Sequence, residues 1–493
     1  MTGGGAREPD QADTGRLAAT LGARTRSMVF GTAEPSAIDG ELELLTTIDL
    51  AHVVMLAERR LVPGRDAAEL LRHVGRLRAD GFRELHHRPM PRGLYLMYEA
   101  HLVSALGPET GGKLHTGRSR NDIKATATAM RLRAELAELL GQTLRLQAVL
   151  LCRARAYREV VMPVYTHYQP AMPVTYGYYL AGVATALERD IAALRHTLGE
   201  LDRCPLGAGA VSGTDLPIDP ARTAALLGFE APVAHAMDAV ASRDTALRAV
   251  AGAAGVGLTL SRLATDLQLW STQEFGFVTF PERLVGGSSA MPQKRNAFLL
   301  EHVKGRAGAA VGVWTGAASS MKSTPFTNSI EVGTEAVSEV WGALAGTVES
   351  VLLAQVLVSG GRPVAARMAA RAEEGFVTAT VVANRLVRQG VPFRTAHHTV
   401  GAAVRRAVES GSTRLTGADL PAGSVPPLDE VTAEHRYGGG PGMFDTSFDE
   451  VRRRLVDHAG WLRGRRESWA VARQRLDGAV AELTARPEGN EAP

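Results

Sequence analysis

Apolar residues recur in alternating steps of four and three through a long stretch of this chain that contains no proline. The positions in this series are Leu132, Leu136, Leu139, Thr143, Leu146 and Leu150. On an α-helix this spacing gathers the side chains into one stripe, as in a coiled coil. The pattern predicts a helix over about residues 124–158, and its stripe needs partner helices along its length.

Three more helices are predicted over about residues 174–195, 242–274 and 299–320. No alternating strand pattern of useful length occurs in the sequence. At 493 residues, the chain exceeds the size at which one hydrophobic core keeps growing. We therefore expect an all-α fold with an elongated central helical bundle, flanked by an N-terminal and a C-terminal helical region.

Composition excludes several classes of function. Hydrophobic residues make up 45% of the chain and charged residues 22%, as in a globular protein. A formal charge of +3 creates no basic surface for nucleic acid or anionic lipid. The apolar stretches 249–260 and 307–314 are shorter than the roughly 20 residues that span a bilayer. The first residues are small and polar and lack the apolar segment of a signal peptide.

The two cysteines, Cys152 and Cys204, lie in no CxxC pattern and in no Cys/His cluster. We expect both to be buried small hydrophobes in a reducing compartment, with a disulfide as the less favoured alternative. This expectation and the missing signal peptide point to a cytosolic protein. The sequence has no Cys/His or His/Asp cluster at ligand spacing, so we predict no metal site.

The first segment with recognisable chemistry is residues 112–122, which read GKLHTGRSRND and open the long helix. Amides at a helix N-terminus favour negative charge, and an arginine fork fits a carboxylate. The segment is therefore a candidate anion site. The alternative is an ordinary solvated helix cap, with Asn121 or Asp122 as the N-cap residue.

The second segment, residues 165–170, reads YTHYQP and is predicted to be a polar connection between two apolar helices. His167 is a candidate for proton transfer because a histidine titrates near neutral pH. A single histidine in such a connection is more often structural. Thr166 and Gln169, which add hydrogen-bonding groups beside it, favour the functional interpretation.

The third segment, residues 286–296, reads GGSSAMPQKRN. It combines backbone donors, hydroxyl groups and a nearby cation, which a serine needs in order to act as a base. A flexible linker is the alternative. A linker, however, has no need of the run MPQKRN immediately before a new helix.

These residues resemble a known family. Residues 287–296 resemble the signature of the fumarase/aspartase superfamily, and residues 113–122 resemble the argininosuccinate lyase form of its first conserved region. The similarity extends to residues 165–169 and to residues 390–397, which read GVPFRTAH. It covers the chain from about residue 98 to residue 440, with the motifs in the family's order.

The resemblance implies a metal-free lyase that releases fumarate by β-elimination from an N-substituted aspartate. If the substrate is argininosuccinate, the second product is L-arginine. The implied fold has three helical domains, and its central helices join those of three other subunits in a homotetramer. Each active site is then shared between subunits. We expect domains at 17–115, 116–372 and 373–493, after a disordered leader at 1–16.

The resemblance also assigns roles to individual residues. It implies that Ser288 is the base, that Lys294 and Asn296 stabilise the developing dianion, and that His167 assists protonation of the leaving nitrogen. Glu301 would polarise His167. The residues implied to bind substrate are Ser119, Arg120, Asn121, Thr166, Gln169 and Asn296.

Residues 323–335, which read STPFTNSIEVGTE, depart from the family pattern. Argininosuccinate lyases usually carry tyrosine, glutamine and lysine where this chain has Thr327, Val332 and Glu335. Two rival readings follow. One is a lyase that releases a different amine from another N-succinyl compound. The other is a catalytically silent relative, which the retained Ser288 and His167 disfavour.

Overall fold

The computed structural model describes residues 21–30, 35–90, 92–420 and 425–485. The described chain is built mainly from α-helices, so the expected all-α class is confirmed. The leader predicted at 1–16 lies outside the described residues. No observation tests the proposed domain boundaries, which stay a prediction.

The N-terminal region consists of helices α1 (Ala23–Phe30), α2 (Pro35–Glu58), α3 (Gly64–Ala79), α4 (Leu94–Leu106) and the single turn α5 (Pro108–Gly111). A 3-10 turn, Gly112–His115, follows α5 directly. A hydrophobic cluster centred on α2 to α4 also takes in apolar side chains from residues 204–229 and from the C-terminal helix, among them Phe229 and Leu476.

Five long helices form the central bundle. They are α6 (Arg120–Ala156), α7 (Tyr176–Glu200), α10 (Asp244–Trp270), α11 (Phe298–Met321) and α12 (Val340–Gly360). The first four correspond to the four helices predicted from sequence. The predicted leucine stripe on α6 is fully buried at Leu132, Leu136, Leu139, Leu146 and Leu150 in the main hydrophobic cluster. Two short helices, α8 (Pro220–Leu226) and α9 (Ala236–Ala241), connect α7 to α10.

Helix α6 begins at a capping box. Ser119 is the N-cap residue; its side chain accepts from the amide of Asn121, and Asp122 at N3 accepts from the amide of Ser119. The prediction of Asn121 or Asp122 as N-cap was therefore wrong. A capping box needs Ser/Thr first and a side-chain acceptor three residues later, and Ser119 with Asp122 meets that spacing.

A β-hairpin separates α6 from α7, although no strand was predicted there. Strand β1 (Val161–Thr166) pairs antiparallel with β2 (Gln169–Thr175), and His167 and Tyr168 form the two-residue turn. Both turn residues have positive φ, 51° and 61°, as a type I′ turn requires. The second chemical segment is thus the tip of a hairpin, not a connection at a helix entry.

The C-terminal region contains α13 (Ala365–Glu374), α14 (Ala379–Arg388), α15 (Phe393–Glu409), α16 (Leu428–Glu434) and the long α17 (Phe444–Ala485). Helices α14 and α15 share a small core of their own with Leu415. Helix α17 returns to pack against α6 and α7. The stretch 411–445 includes α16 and two 3-10 turns.

Within the described residues, four two-residue strands make two minor pairs. Strand β3 (Arg203–Cys204) pairs parallel with β4 (Ala231–Pro232), and β5 (Val278–Thr279) pairs antiparallel with β6 (Arg362–Pro363). Cys204 is buried in β3, as expected, whereas Cys152 is exposed on α6. The expectation for Cys152 was wrong because that position lies on the outward face of the helix. Both thiols are free.

The segment Glu331–Gly360 is long and apolar enough to cross a membrane by length and composition. It includes α12, which packs against α6, α10 and α11. Its most apolar window is 44% buried inside the protein. A core helix of a bundle meets the same criteria, so the bundle packing accounts for this composition.

Candidate active site

The third segment forms a loop that is closed at its base. Gly286 and Asn296 exchange two backbone hydrogen bonds, both 2.8 Å long, in an antiparallel bridge. The Asn296 side chain also donates to the carbonyl of Gly287 at 3.4 Å. Residues 287–295 therefore project as one loop from the start of α11.

Ser288 occupies the first turn of this loop. Its hydroxyl oxygen accepts hydrogen bonds from the amides of Ala290, at 3.3 Å, and Met291, at 3.0 Å. Amide donors aimed at an oxygen stabilise negative charge on it. The loop thus provides the environment that a serine alkoxide needs. Lys294 is exposed on the same loop, and its amide donates to the carbonyl of Met291.

Glu301 lies one turn into α11, directly after the loop. Its carboxylate accepts from the side chain of Gln268 on α10 at 3.1 Å and is otherwise exposed. The side chain of Lys304 donates to the same Gln268. This arrangement fixes Glu301 at the surface of the bundle.

His167 is presented to solvent at the tip of the β1–β2 hairpin, and Thr166, Tyr168 and Gln169 are exposed with it. Thr166 and Gln169 are the last paired residues of the two strands. A positive φ at a histidine or a tyrosine is uncommon and is held by surrounding structure. The hairpin supplies that support by pairing along its length and by packing Tyr165 against Phe275.

The first segment surrounds the N-terminus of α6. Arg120 is exposed, and Ser119 and Asn121 are half-buried. The Asn121 side chain donates to the carbonyl of Ala210 at 3.1 Å. The side chains of Ser119, Arg120 and Asn121 therefore lie together at the start of α6, where the cationic Arg120 suits an anion.

One residue of this segment, Arg118, forms a buried ion pair with helix α2. Arg118 and Asp49 on α2 lie 2.6 Å apart, and both side chains are fully buried. Arg118 also donates to the hydroxyl of Tyr95 at 3.1 Å. Burial, together with the smaller effects of the charges on Arg118 and Arg120, lowers the pKa of His115 to about 4. His115 is thus neutral near pH 7.

Sequence reasoning did not single out Asp122 as a site residue. Its side chain is completely buried and accepts from the amide of Ser119 at 2.9 Å, of Gly207 at 3.0 Å and of Gly209 at 2.9 Å. Burial raises the pKa of Asp122, and these three amide hydrogen bonds oppose the shift. The sequence feature that could have indicated this role is the Gly/Pro-rich stretch after β3, which contains the donors Gly207 and Gly209.

Within one chain, the structure brings some of the predicted residues together and leaves others apart. Ser288 and Asn296 share the loop, and Ser119, Arg120 and Asn121 share the start of α6. Among the described residues, no hydrogen bond or ion pair joins His167 to Glu301, and none joins the hairpin tip to the other two segments. No group of three or more His, Cys, Asp or Glu side chains suited to a metal ion occurs within the described ranges.

Residues 323–335, which depart from the family pattern, lie close to the start of α6 in the same chain. Residues Glu331–Glu335 form a π-helical turn, and Lys124 on α6 donates to the hydroxyl of Thr334. Val332 is buried, Thr327 is half-buried and Glu335 is exposed. Of the three altered positions, Glu335 is thus the one with a charged side chain at the surface.

Comparison with known proteins shows extensive similarity. The family model described as "Lyase" matches residues 96–312, and the model "Argininosuccinate lyase C-terminal" matches residues 376–432. An argininosuccinate lyase of Halobacterium salinarum is 37% identical over 438 residues, which cover 85% of this chain and 89% of that protein. One from Thermus thermophilus is 40% identical over 379 residues, or 74% of this chain and 80% of that protein.

Solved structures show the same fold. An EDDS lyase in complex with formate is 27% identical and aligns with a TM-score of 0.82 over 91% of this chain and 92% of that chain. A class II fumarase from Schistosoma mansoni is 16% identical, with a TM-score of 0.65 over 80% of this chain and 91% of that one. The second similarity is one of fold alone.

Proposed function

Because this chain belongs to the argininosuccinate lyase family of the fumarase/aspartase superfamily, we propose that it splits argininosuccinate into fumarate and L-arginine with Ser288 as the base. The chain is a carbon–nitrogen lyase. The observation that supports Ser288 is its hydroxyl oxygen, which accepts two amide hydrogen bonds inside a closed loop.

The proposed reaction is a β-elimination. The Ser288 oxygen removes a proton from the carbon next to a carboxylate of the succinyl half, and the negative charge moves into that carboxylate. Lys294, Asn296 and the loop amides stabilise the charge. The C–N bond then breaks, its electron pair stays on nitrogen, and His167, polarised by Glu301, assists protonation of the leaving group. Ser119, Arg120, Asn121, Thr166 and Gln169 hold the substrate.

We further propose that the active enzyme is a homotetramer in which one site takes its segments from different subunits. Two observations support this proposal. The hairpin tip makes no bond to the other two segments among the described residues of one chain. The helices α10, α11 and α12 also expose large apolar side chains, which are Leu258, Leu269, Val311, Trp314, Leu352 and Val356. Exposed apolar surface of this kind is typical of an interface.

A cytosolic location is proposed on the two free thiols, Cys152 and Cys204, which suit a reducing compartment. The partners we propose are a small-molecule substrate and other copies of the same chain, without nucleic acid or a membrane.

A second candidate is a lyase that releases fumarate from a different N-succinyl amine. The exposed Glu335, which places a carboxylate where the family usually has a lysine, favours this candidate. The preceding residue, Thr334, accepts a hydrogen bond from Lys124 near the start of α6, so Glu335 is close to the proposed substrate-binding segment of its own chain. A leaving amine that carries a carboxylate would be repelled there, whereas a cationic one would be attracted.

The deciding experiment measures fumarate by its ultraviolet absorbance. Purified protein is mixed with argininosuccinate and, separately, with a panel of N-succinyl amines. Release from argininosuccinate supports the first candidate, and release only from another compound supports the second. The reverse reaction, fumarate with a panel of amines, identifies the leaving group. A protein that is folded, oligomeric and inactive in every assay would contradict both candidates.

A further inference from the structure

Three side chains from two neighbouring helices form a hydrogen-bonded series at the start of α11. The ammonium group of Lys304 on α11 donates to the side-chain oxygen of Gln268 on α10. The side-chain nitrogen of Gln268 donates in turn to the Glu301 carboxylate at 3.1 Å. We call Lys304, Gln268 and Glu301 the relay. Because α10 and α11 pack against each other in the bundle, the relay joins two fixed elements.

The neighbours of Gln268 fix the orientation of its amide group. An ammonium group can only donate hydrogen bonds, and an ionised carboxylate can only accept them. The Gln268 oxygen must therefore face Lys304, and its nitrogen must face Glu301. If the amide were turned over, N–H groups would face the ammonium and the oxygen would face the carboxylate. Both hydrogen bonds would then be lost.

Lys304 acts on Glu301 through this amide. The two residues are three positions apart on one helix, a spacing that allows an ion pair. Within the described ranges, however, no ion pair joins Lys304 to a carboxylate, and its ammonium group donates to Gln268 instead. A cation at the oxygen of an amide polarises the group and strengthens the hydrogen bond that its N–H donates. Lys304 therefore strengthens the contact between Gln268 and Glu301.

The Glu301 side chain depends on this contact for its orientation. Its neighbours Leu300 and Val303 are fully buried in the main hydrophobic cluster, so the backbone here is fixed. The carboxylate is exposed, and Gln268 is its hydrogen-bond partner among the described residues. A free glutamate side chain occupies many rotamers. The hydrogen bond at Oε1 restricts them and leaves Oε2 available to another donor.

We propose that Gln268 and Lys304 are positioning residues for catalysis. They hold Oε1 of Glu301, so that Oε2 accepts a hydrogen bond from His167 of the partner subunit. This inference rests on the proposed function, in which Glu301 polarises His167. Gln268 and Lys304 act through Glu301 and do not touch the substrate.

The first test removes the amide. Gln268→Met keeps the length of the side chain and loses both hydrogen bonds. Since a hydrogen bond to a charged group is among the stronger ones, kcat for fumarate release should fall about tenfold or more, while KM changes little. Gln273→Met is the matched control. Gln273 is exposed just after α10, and no described hydrogen bond involves its side chain, so this variant should behave like the parent.

The second test determines whether Gln268 acts through Glu301. Glu301→Gln alone should lower kcat at least as much as Gln268→Met does. Adding Gln268→Met to Glu301→Gln should then change kcat by less than about twofold, because the carboxylate that Gln268 orients is absent. If the two single effects multiply in full in the double variant, Gln268 does not act through Glu301 and the inference is overturned.

The third test concerns the cation. Lys304→Met leaves the Gln268 amide free to turn, so kcat should fall, though less than in Gln268→Met. Lys304→Arg keeps a cationic donor and should restore most of kcat. In the Gln268→Met background, Lys304→Met should have little further effect, because the amide that it orients is already gone. A full further loss there would show that Lys304 acts by another route.

These measurements distinguish the positioning role from the proposed function. Suppose that the parent releases fumarate and that Glu301→Gln is slow. A Gln268→Met variant as fast as the parent would then overturn the positioning role alone. Glu301→Gln as fast as the parent would instead contradict the proposed mechanism, and the positioning role with it. Thermal unfolding and sedimentation of Gln268→Met should match the parent. A loss of kcat that occurs only with a less stable or dissociated protein would show a structural role and overturn the inference.

Discussion

At the scale of single residues, Ser288 differs from an ordinary loop serine because two amides donate to its hydroxyl oxygen. Replacing it with alanine should leave the fold and the oligomer intact. Turnover should fall by at least the roughly 10²- to 10⁴-fold that a positioned base contributes. Steady-state measurement of fumarate release gives kcat and KM separately.

Ser289 is the matched control for this change, since it lies on the same loop and has no hydrogen bond among those described for its hydroxyl. Ser289→Ala should be much less harmful. If Ser288→Ala raises only KM, Ser288 binds substrate and the base lies elsewhere. Equal activity of the Ser288→Ala variant and the parent would rule out Ser288 as the base.

The Arg118–Asp49 pair gives a prediction about stability. Both side chains are fully buried, so Arg118→Met leaves the Asp49 carboxylate without its counter-charge. The loss should be about 3–5 kcal/mol in the free energy of unfolding, measured by urea denaturation at a fixed protein concentration. Adding Asp49→Asn removes the stranded charge and should recover part of the loss. A single variant as stable as the parent would show that the pair contributes little.

At the scale of elements, the end of α6 and the start of α7 approach closely at Gly177. A Cβ atom there would lie 2.3 Å from the carbonyl oxygen of Ala154 and 2.7 Å from the Cα of Arg158. Gly177→Ala should therefore force the two helices apart and lower the free energy of unfolding by about 1–3 kcal/mol. Thermal and urea denaturation both report the change.

Gly75 on α3 provides the control for this substitution. It is exposed, it lies inside a helix, and nothing lies within 4 Å of an added Cβ. Gly75→Ala should be neutral or stabilising by up to about 1 kcal/mol, because alanine is the better helix former. If both substitutions change stability alike, close packing does not explain the glycine at position 177.

At the scale of the whole molecule, shared sites make a distinctive prediction. A Ser288→Ala chain and a His167→Asn chain should each be inactive alone. Mixed tetramers should regain part of the activity, because some sites then combine an intact loop with an intact hairpin. Activity is measured after the two variants are unfolded and refolded together, and sedimentation confirms the mixed assembly. No recovery from mixed tetramers, or an active monomer, would contradict the shared-site proposal.

The proposed mechanism also needs no metal ion. We expect activity to survive exhaustive chelation, because the reaction relies on the Ser288 loop and on Lys294 for its electrostatic stabilisation. Fumarate release is measured before and after treatment with a chelator, with buffer exchange alone as the control. Activity that is lost and then restored by zinc or magnesium would show that the site needs a metal.

Sequence alone predicted the elements whose signals are local. The leucine stripe from Leu132 to Leu150 predicted α6 because helical periodicity is contained within one short window. The loop with Ser288 and Lys294 was recognisable because its residues are contiguous. For the same reason the family was correctly identified from sequence.

Tertiary structure decided what depends on distant partners. Strands β1 and β2 contain Pro163, Pro170 and Pro173, which obscure a strand pattern, and the hairpin forms because the two strands pair with each other. The buried carboxylate of Asp122 accepts hydrogen bonds from the amides of Gly207 and Gly209, which are 85 and 87 positions away in the sequence. Arg118 forms its ion pair with Asp49 on α2. Packing buries these polar groups, and buried polar groups must form hydrogen bonds or ion pairs. A short stretch of the sequence does not specify which distant residue becomes the partner.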